Sequence, residues 1–157
     1  MPNEKLTEIQ KSYLAGFIDG EGCIFIKRRN ENSTWLQLML VISQKDINLL
    51  KELKFLIDEK CYLRLPSKNY TAGNLCYTSG QAYRILKQIY PYLKLKKEQA
   101  KIGIEFYEKY KIIPAGRKKP LPIWQSNSKL WEEREICYHT IKALKKVNYV
   151  WGGINAQ

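Results

Sequence analysis

Two carboxylates, Asp19 and Glu21, stand among glycines where an apolar run ends, in "YLAGFIDGEG" from Tyr13 to Gly22. Three glycines in these ten residues make a poor helix on propensity alone, because each interior glycine costs about 1 kcal/mol against alanine. If a helix ends near Gly20, Glu21 is presented beyond its C-terminus, where the negative pole of the dipole disfavours an unpaired carboxylate. A divalent cation would relieve that repulsion, and carbonyls exposed at a helix end are further oxygen ligands. Mg²⁺ suits such a place, since it takes few carboxylates and completes its shell with water and phosphate oxygens. A plainer reading stands beside this one, in which Asp19 and Glu21 only cap or solvate a chain reversal.

Other site chemistries find little support. Cys23, Cys61, Cys76 and Cys137 are scattered without a C-x-x-C pair, so zinc is not implied and reduced thiols are the default. His139 is the single histidine. It leaves too few ligands for a histidine-based metal nuclease and reads as a helix surface or packing residue.

Lysine and arginine number 27 against 15 aspartates and glutamates, a net charge of +12. Such an excess suits a polyanionic partner, nucleic acid more often than an anionic membrane. The bland alternative is charge kept for solubility. No apolar run approaches the ~20 residues of a membrane span, and "MPNEKLTEIQ" resembles neither a signal peptide nor a transit peptide. Residues 91–120 hold nine basic and three acidic side chains, a net of +6 and half of the chain's excess. Lys94, Lys96, Lys97 and the cluster Arg117, Lys118, Lys119 are therefore expected to flank the backbone of a nucleic-acid partner.

The elements that must position these groups follow from spacing. The 157 residues suggest one domain, 1–157, with a real core. Thr7 and Gln10 have the spacing of a capping box, and Ile9, Tyr13, Leu14, Phe17 and Ile18 follow at helical period. "CIFIKRR", a polar turn and "WLQLMLVIS" predict a β-hairpin. Leu36, Leu38, Leu40 and Ile42 then face the helices, with Trp35, Gln37, Met39 and Val41 on the other face. "DINLLKELKFLIDE" predicts a helix capped by Asp46. Two strands, "CYLRL" and "LCYTS", flank a loop rich in turn residues. Helices are predicted over 80–90, ending before Pro91, over 96–110, and over 128–146. In the last, Glu132 and Glu133 fall in the first turn and Lys142, Lys145 and Lys146 at the end. The order αββαββα with further helices predicts an α+β fold, a sheet with helices on one face.

The other sheet face is then free. Lys27 and Arg29 share it on one strand, and Tyr62 and Arg64 share a face on another. With Gln37 and aromatics such as Trp35 and Tyr77, this surface can offer donors to base edges in a major groove. Lys68, in the loop between the last two strands, and Lys118 and Lys119 complete the candidate DNA contacts. An ordinary solvated face is the alternative.

"LAGFIDGEG", Leu14 to Gly22, strongly resembles the motif of the LAGLIDADG homing endonucleases. "ISQKD" (42–46) and "PYLKLKKEQA" (91–100) resemble the single-motif, dimeric branch encoded in group I introns. The resemblance implies the αββαββα fold, a four-stranded antiparallel sheet with a concave DNA-binding face. It implies a Mg²⁺-dependent, sequence-specific endonuclease for double-stranded DNA, with Mn²⁺ or Ca²⁺ able to substitute in binding. Motif helices of two copies would pack around a two-fold axis through Leu14, Gly16, Phe17 and Gly20, giving a homodimer. Gly16 and Gly20, four apart, lie on one helix face and allow backbones to approach. By position, Glu21 matches the metal-binding acid, Gly20 the carbonyl that helps hold metal, Gln44 a residue orienting solvent, and Lys96 a basic residue of the same pocket. Lys94 and Lys97 stand close enough in sequence to serve instead of Lys96. Asp19 reads as support for the helix junction. The resemblance further implies an organelle-encoded protein of chloroplast or mitochondrion, or a bacterial cytoplasmic one. A maturase that binds intron RNA and a non-cleaving DNA-binding regulator are the alternatives on the same scaffold.

Overall fold

The computed structural model describes residues 6–31, 35–57, 60–110 and 128–154, with side-chain surroundings in the last stretch for 129–145. Helix α1 (Glu8–Glu21) begins at the expected capping box. Thr7 Oγ1 accepts from the Gln10 N–H at 3.3 Å and Gln10 Oε1 accepts from the Thr7 N–H at 2.9 Å. The helix runs one residue past the expected stop, so Glu21 is its last residue and Gly22 its C-cap. Only glycine fits there, because a Cβ on Gly22 would lie 2.6 Å from the Ile18 carbonyl oxygen.

Strands β1 (Gly22–Arg28), β2 (Leu36–Gln44), β3 (Tyr62–Arg64) and β4 (Gly73–Thr78) form one antiparallel sheet in the order β1-β2-β4-β3. Helix α2 (Ile47–Ile57) joins β2 to β3, and α3 (Gly80–Ile89) follows β4. A 3₁₀ turn at Tyr90–Tyr92, α4 (Lys97–Tyr110) and α5 (Ser128–Ile154) complete the α+β order. Asp46 caps α2 as expected, its Oδ1 accepting from Asn48 N–H at 2.9 Å and Leu49 N–H at 3.1 Å.

The core lies between one sheet face and the helices. Ile24, Ile26, Leu36, Leu38, Leu40, Ile42 and Leu75 meet Leu14, Ile18, Leu50, Leu53, Ile85 and Leu86, all buried. Each such side chain contributes about 1.5–3 kcal/mol. A one-residue slip of β2 would turn its whole apolar set outward, so the alternation sets the register. Glycine matters again at Gly103, where a Cβ would meet Leu38 Cδ1 at 2.8 Å as α4 closes on the sheet. Among the described residues no helix is long and apolar enough to cross a membrane.

Several expectations are corrected. Tyr77, a candidate DNA contact, is fully buried. It pairs with Leu40 and shares the phase of Leu75, so it points at the helices. Leu14, a candidate dimer contact, is also fully buried. It lies one turn before Ile18 on the face of α1 that packs on this chain's own core. Helix α5 continues to Ile154, so Lys142 and Lys145 sit within it and Glu132 and Glu133 fall in its second turn. Arg117, Lys118 and Lys119 lie outside the described residues.

Candidate active site

The end of α1 gathers the chemistry. Asp19 is 9% exposed, and both of its carboxylate oxygens are engaged. Oδ2 accepts from the Lys94 N–H at 2.7 Å and Oδ1 from the Lys96 N–H at 2.9 Å. Lys96 returns the contact, its Nζ donating to the Asp19 carbonyl. Burial pushes the Lys96 ammonium below the ordinary lysine value, while the neighbouring Asp19 opposes that shift, with smaller contributions from Cys23 and Glu21. Segment 94–96 is thus tied to the helix end although it lies 75 residues away in sequence.

Glu21 and Gly20 are exposed at the same end. Gln44 is brought there by strand register: Gly22 pairs with Ile42, which sets Gln44 two residues further toward the helix terminus. Its Oε1 accepts from the Lys45 N–H at 2.8 Å. Glu21, Gly20, Gln44 and Lys96 therefore occupy one end of the sheet. Among the described residues no group of three His, Cys, Asp or Glu side chains could hold a metal. What one chain offers is the Glu21 carboxylate and the terminal carbonyls of α1. That donor set suits Mg²⁺ completed by water and phosphate, and does not make a closed protein cage.

One face of α1 is left open by the described residues. Ile9 is 84% exposed and Tyr13 50%, and Gly16 and Gly20 follow on the same strip. A Cβ built on either glycine meets nothing within 4 Å. Phe17 lies at the margin of the strip, half-buried, its ring 6.2 Å from that of Tyr13. Among the described residues, nothing packs closely enough to require glycine at 16 or 20.

The outward sheet face is arranged in rows. Lys27 pairs with Gln37 at one end, and Arg64 pairs with Asn74 and Asn74 with Ser43 at the other. Between them lie Phe25, Met39, Val41, Cys23, Cys76 and Thr78. Arg64 is held in place: its guanidinium lies 4.4 Å from the Tyr70 ring centre. In the amide orientation that satisfies both neighbours, Asn74 accepts from Arg64 Nε at 3.2 Å and donates to Ser43 Oγ at 2.6 Å. At the other end Gln37 Nε2 donates to Ser79 Oγ at 3.0 Å. Ser79 is the one described non-glycine residue with positive φ, 47°. That conformation costs on the order of 1–3 kcal/mol, and it is held by Ser79 N–H donating to Leu38 O at 2.8 Å and its carbonyl accepting from Tyr83 N–H at 3.0 Å.

The candidate contacts divide. Lys27, Arg29, Tyr62 and Lys68 are exposed, and Gln37 and Arg64 half-buried on the open face. Trp35 is half-buried just before β2, its carbonyl accepting from the Arg29 N–H at 3.3 Å. Arg28 turns the other way, bonding Glu135 of α5 and lying 4.4 Å from the Tyr138 ring centre. Lys145, read from the sequence only as part of a helix end, brings its Nζ to 4.8 Å from the Phe25 ring centre. Sequence reasoning missed Ser43 and Asn74. The parity of Gln37 and Val41 extends to Ser43, and that signal would have found it.

The model of the LAGLIDADG endonuclease family matches residues 14–115. This chain belongs to the LAGLIDADG endonuclease family. The match opens on Leu14, the first residue of the motif, and runs past the Lys96 segment and α4. Among solved LAGLIDADG proteins, the chain is similar to the homing endonuclease I-CvuI in complex with the I-CreI target. It is 20% identical over 87% of this chain and 82% of that one, with a TM-score of 0.68. The archaeal intron-encoded homing endonuclease I-Vdi141I, complexed with DNA, is 12% identical over 87% and 84%, TM-score 0.68. The I-SmaMI LAGLIDADG homing endonuclease bound to cleaved DNA matches over 85% of this chain but 42% of its own, at 20% identity and TM-score 0.59. These likenesses establish the LAGLIDADG fold for this chain. No curated protein matches it by sequence.

Proposed function

We propose that this LAGLIDADG protein is a sequence-specific, metal-dependent endonuclease that cuts double-stranded DNA at a pseudo-palindromic site as a homodimer, in intron homing. One observation carries the reading. The open strip of α1 leads directly into Glu21, beside which the fold has drawn Lys96 and Gln44. A second copy packed on that strip by a two-fold axis would set two Glu21 carboxylates side by side. The 157 residues hold one LAGLIDADG motif, so the second motif helix of the site is taken from a second copy of the chain.

The reaction is in-line attack of water on a phosphodiester. Glu21 and the Gly20 carbonyl are the residues that would hold a divalent ion, Mg²⁺ by ligand preference, with Mn²⁺ or Ca²⁺ able to occupy the site. When bound, such an ion supplies charge stabilisation to the attacking and leaving oxygens. Gln44 orients the attacking water. The Lys96 ammonium, partly desolvated and aimed by Asp19, stabilises negative charge developing on the phosphoryl oxygens. The sheet face reads bases through Lys27, Gln37, Tyr62 and Arg64, and the net charge of +12 supplies phosphate affinity.

The test is Glu21→Gln, which removes one charged ligand and no packing, since Glu21 is exposed. DNA cleavage in Mg²⁺ should be abolished while the gel shift in Ca²⁺ is retained. Full cleavage by the variant would remove Glu21 from the centre, and absence of DNA binding by the parent would remove the reading as a whole.

A further inference from the structure

We infer that Asp19 is a positioning residue: its buried carboxylate holds the segment Lys94–Lys96 against the end of α1 and so sets where the Lys96 ammonium is delivered. The catalytic consequence rests on the nuclease reading above. The placement itself does not.

A lysine stem is a flexible four-carbon chain, and its charge is useful only if something fixes it. Here one residue holds both ends. Asp19 Oδ1 takes the Lys96 backbone N–H at 2.9 Å, and the Asp19 carbonyl takes the Lys96 Nζ. The second carboxylate oxygen takes the Lys94 N–H at 2.7 Å, which stops the segment from pivoting about a single bond. Two backbone donors, one on each oxygen, compensate the burial that a carboxylate at 9% exposure would otherwise suffer. Both oxygens of Asp19 thus hold backbone amides of the distant segment, a structural task of its own only two residues from Glu21. Asp19 is continuous with Gly20 and Glu21, so the acid and the lysine share one rigid reference at the helix end. Aspartate fits and glutamate does not, since an added methylene would carry the oxygens past both amides.

The experiment compares the full-length parent with Asp19→Asn, Asp19→Glu, Lys96→Ala and the Asp19→Asn/Lys96→Ala double variant. Amide exchange at Lys94 and Lys96 is read by NMR, DNA affinity by gel shift in Ca²⁺, and single-turnover cleavage in Mg²⁺. In Asp19→Asn one oxygen becomes an amide nitrogen facing an N–H, so protection of at least one of the two amides should fall by about tenfold or more. Cleavage should slow by about 100-fold, as for a reacting group misplaced by an ångström. Affinity should stay within about twofold, a loss in rate and not in binding. The double variant should be no slower than Lys96→Ala alone, because Asp19 acts through the lysine. Asp19→Glu, which keeps the charge and misplaces it, should show the same pattern and serves should the asparagine variant not fold.

Unchanged protection of both amides in a folded Asp19 variant overturns the inference whether or not the protein cuts DNA. So do additive losses in the double variant, or reduced protection with cleavage at the parent rate. A parent that cuts no DNA defeats the nuclease reading alone, because the exchange measurement still decides the placement.

Discussion

Replacing the glycines of α1 one at a time separates what the single chain needs from what an assembly would need. A Cβ at Gly16 or Gly20 meets nothing within 4 Å, whereas one at Gly22 lies 2.6 Å from Ile18 O and 2.9 Å from Ile18 Cα. Within an isolated chain, Gly16→Ala therefore gains helix propensity, about 0.8–1 kcal/mol. That corresponds to a rise in Tm of roughly 2–4 °C for a chain of this size. Gly22→Ala keeps an allowed backbone, φ −87°, but presses a methyl against backbone atoms that cannot turn aside, and should lose about 1–3 kcal/mol or more. Urea unfolding at concentrations where subunits are separate measures both. The same Gly16→Ala should weaken a dimer packed through the strip, since each copy brings a methyl to the contact. At ~1–3 kcal/mol of overpacking, the dimer Kd rises about five- to 150-fold, read by sedimentation at several concentrations. An unchanged dimer Kd alongside a stabilised monomer would refute the strip as the interface. A destabilised monomer would refute the claim that the strip is left open.

Lys27→Ala and Arg64→Ala should each relax discrimination at particular base pairs by about 1–3 kcal/mol, measured as binding to a panel of single-substituted sites; equal weakening on every site would mean phosphate contact only. Tyr77→Ala should cost about 3–5 kcal/mol of stability as a buried aromatic truncation, with no base-specific effect in the same panel; a base-specific loss at unchanged stability would return Tyr77 to the open face. Neutralising Arg117, Lys118 and Lys119 should flatten the salt dependence of DNA binding, by about 0.9 in the log–log slope for each phosphate that is no longer neutralised. Titrations at several salt concentrations decide it, and an unchanged slope would place the cluster away from DNA.

By itself the sequence determined the local elements, because their signals are local. Thr7 and Gln10 announce the start of α1, Asp46 caps α2, Pro91 ends α3, and the alternation from Leu36 to Ile42 orients β2. The nine residues from Leu14 to Gly22 identify the family, since the type and spacing of their glycines and acids can be read without neighbours. Parity and helical period, followed strictly, turn two candidate surface residues inward: Tyr77 lies in step with Leu75, and Leu14 in step with Ile18, so both face the core. The full length of α5 is not legible, because its lysines at 142, 145 and 146 mimic a dipole-matched end. What only the tertiary structure decided are the contacts between distant segments. The tether of Lys94 and Lys96 to Asp19, the guanidinium of Arg64 between Asn74 and Tyr70, and the inward turn of Arg28 to Glu135 depend on strand register and helix packing. Spacing within one element reports the face a side chain occupies. Which partner waits on that face is set by the packing of the whole chain.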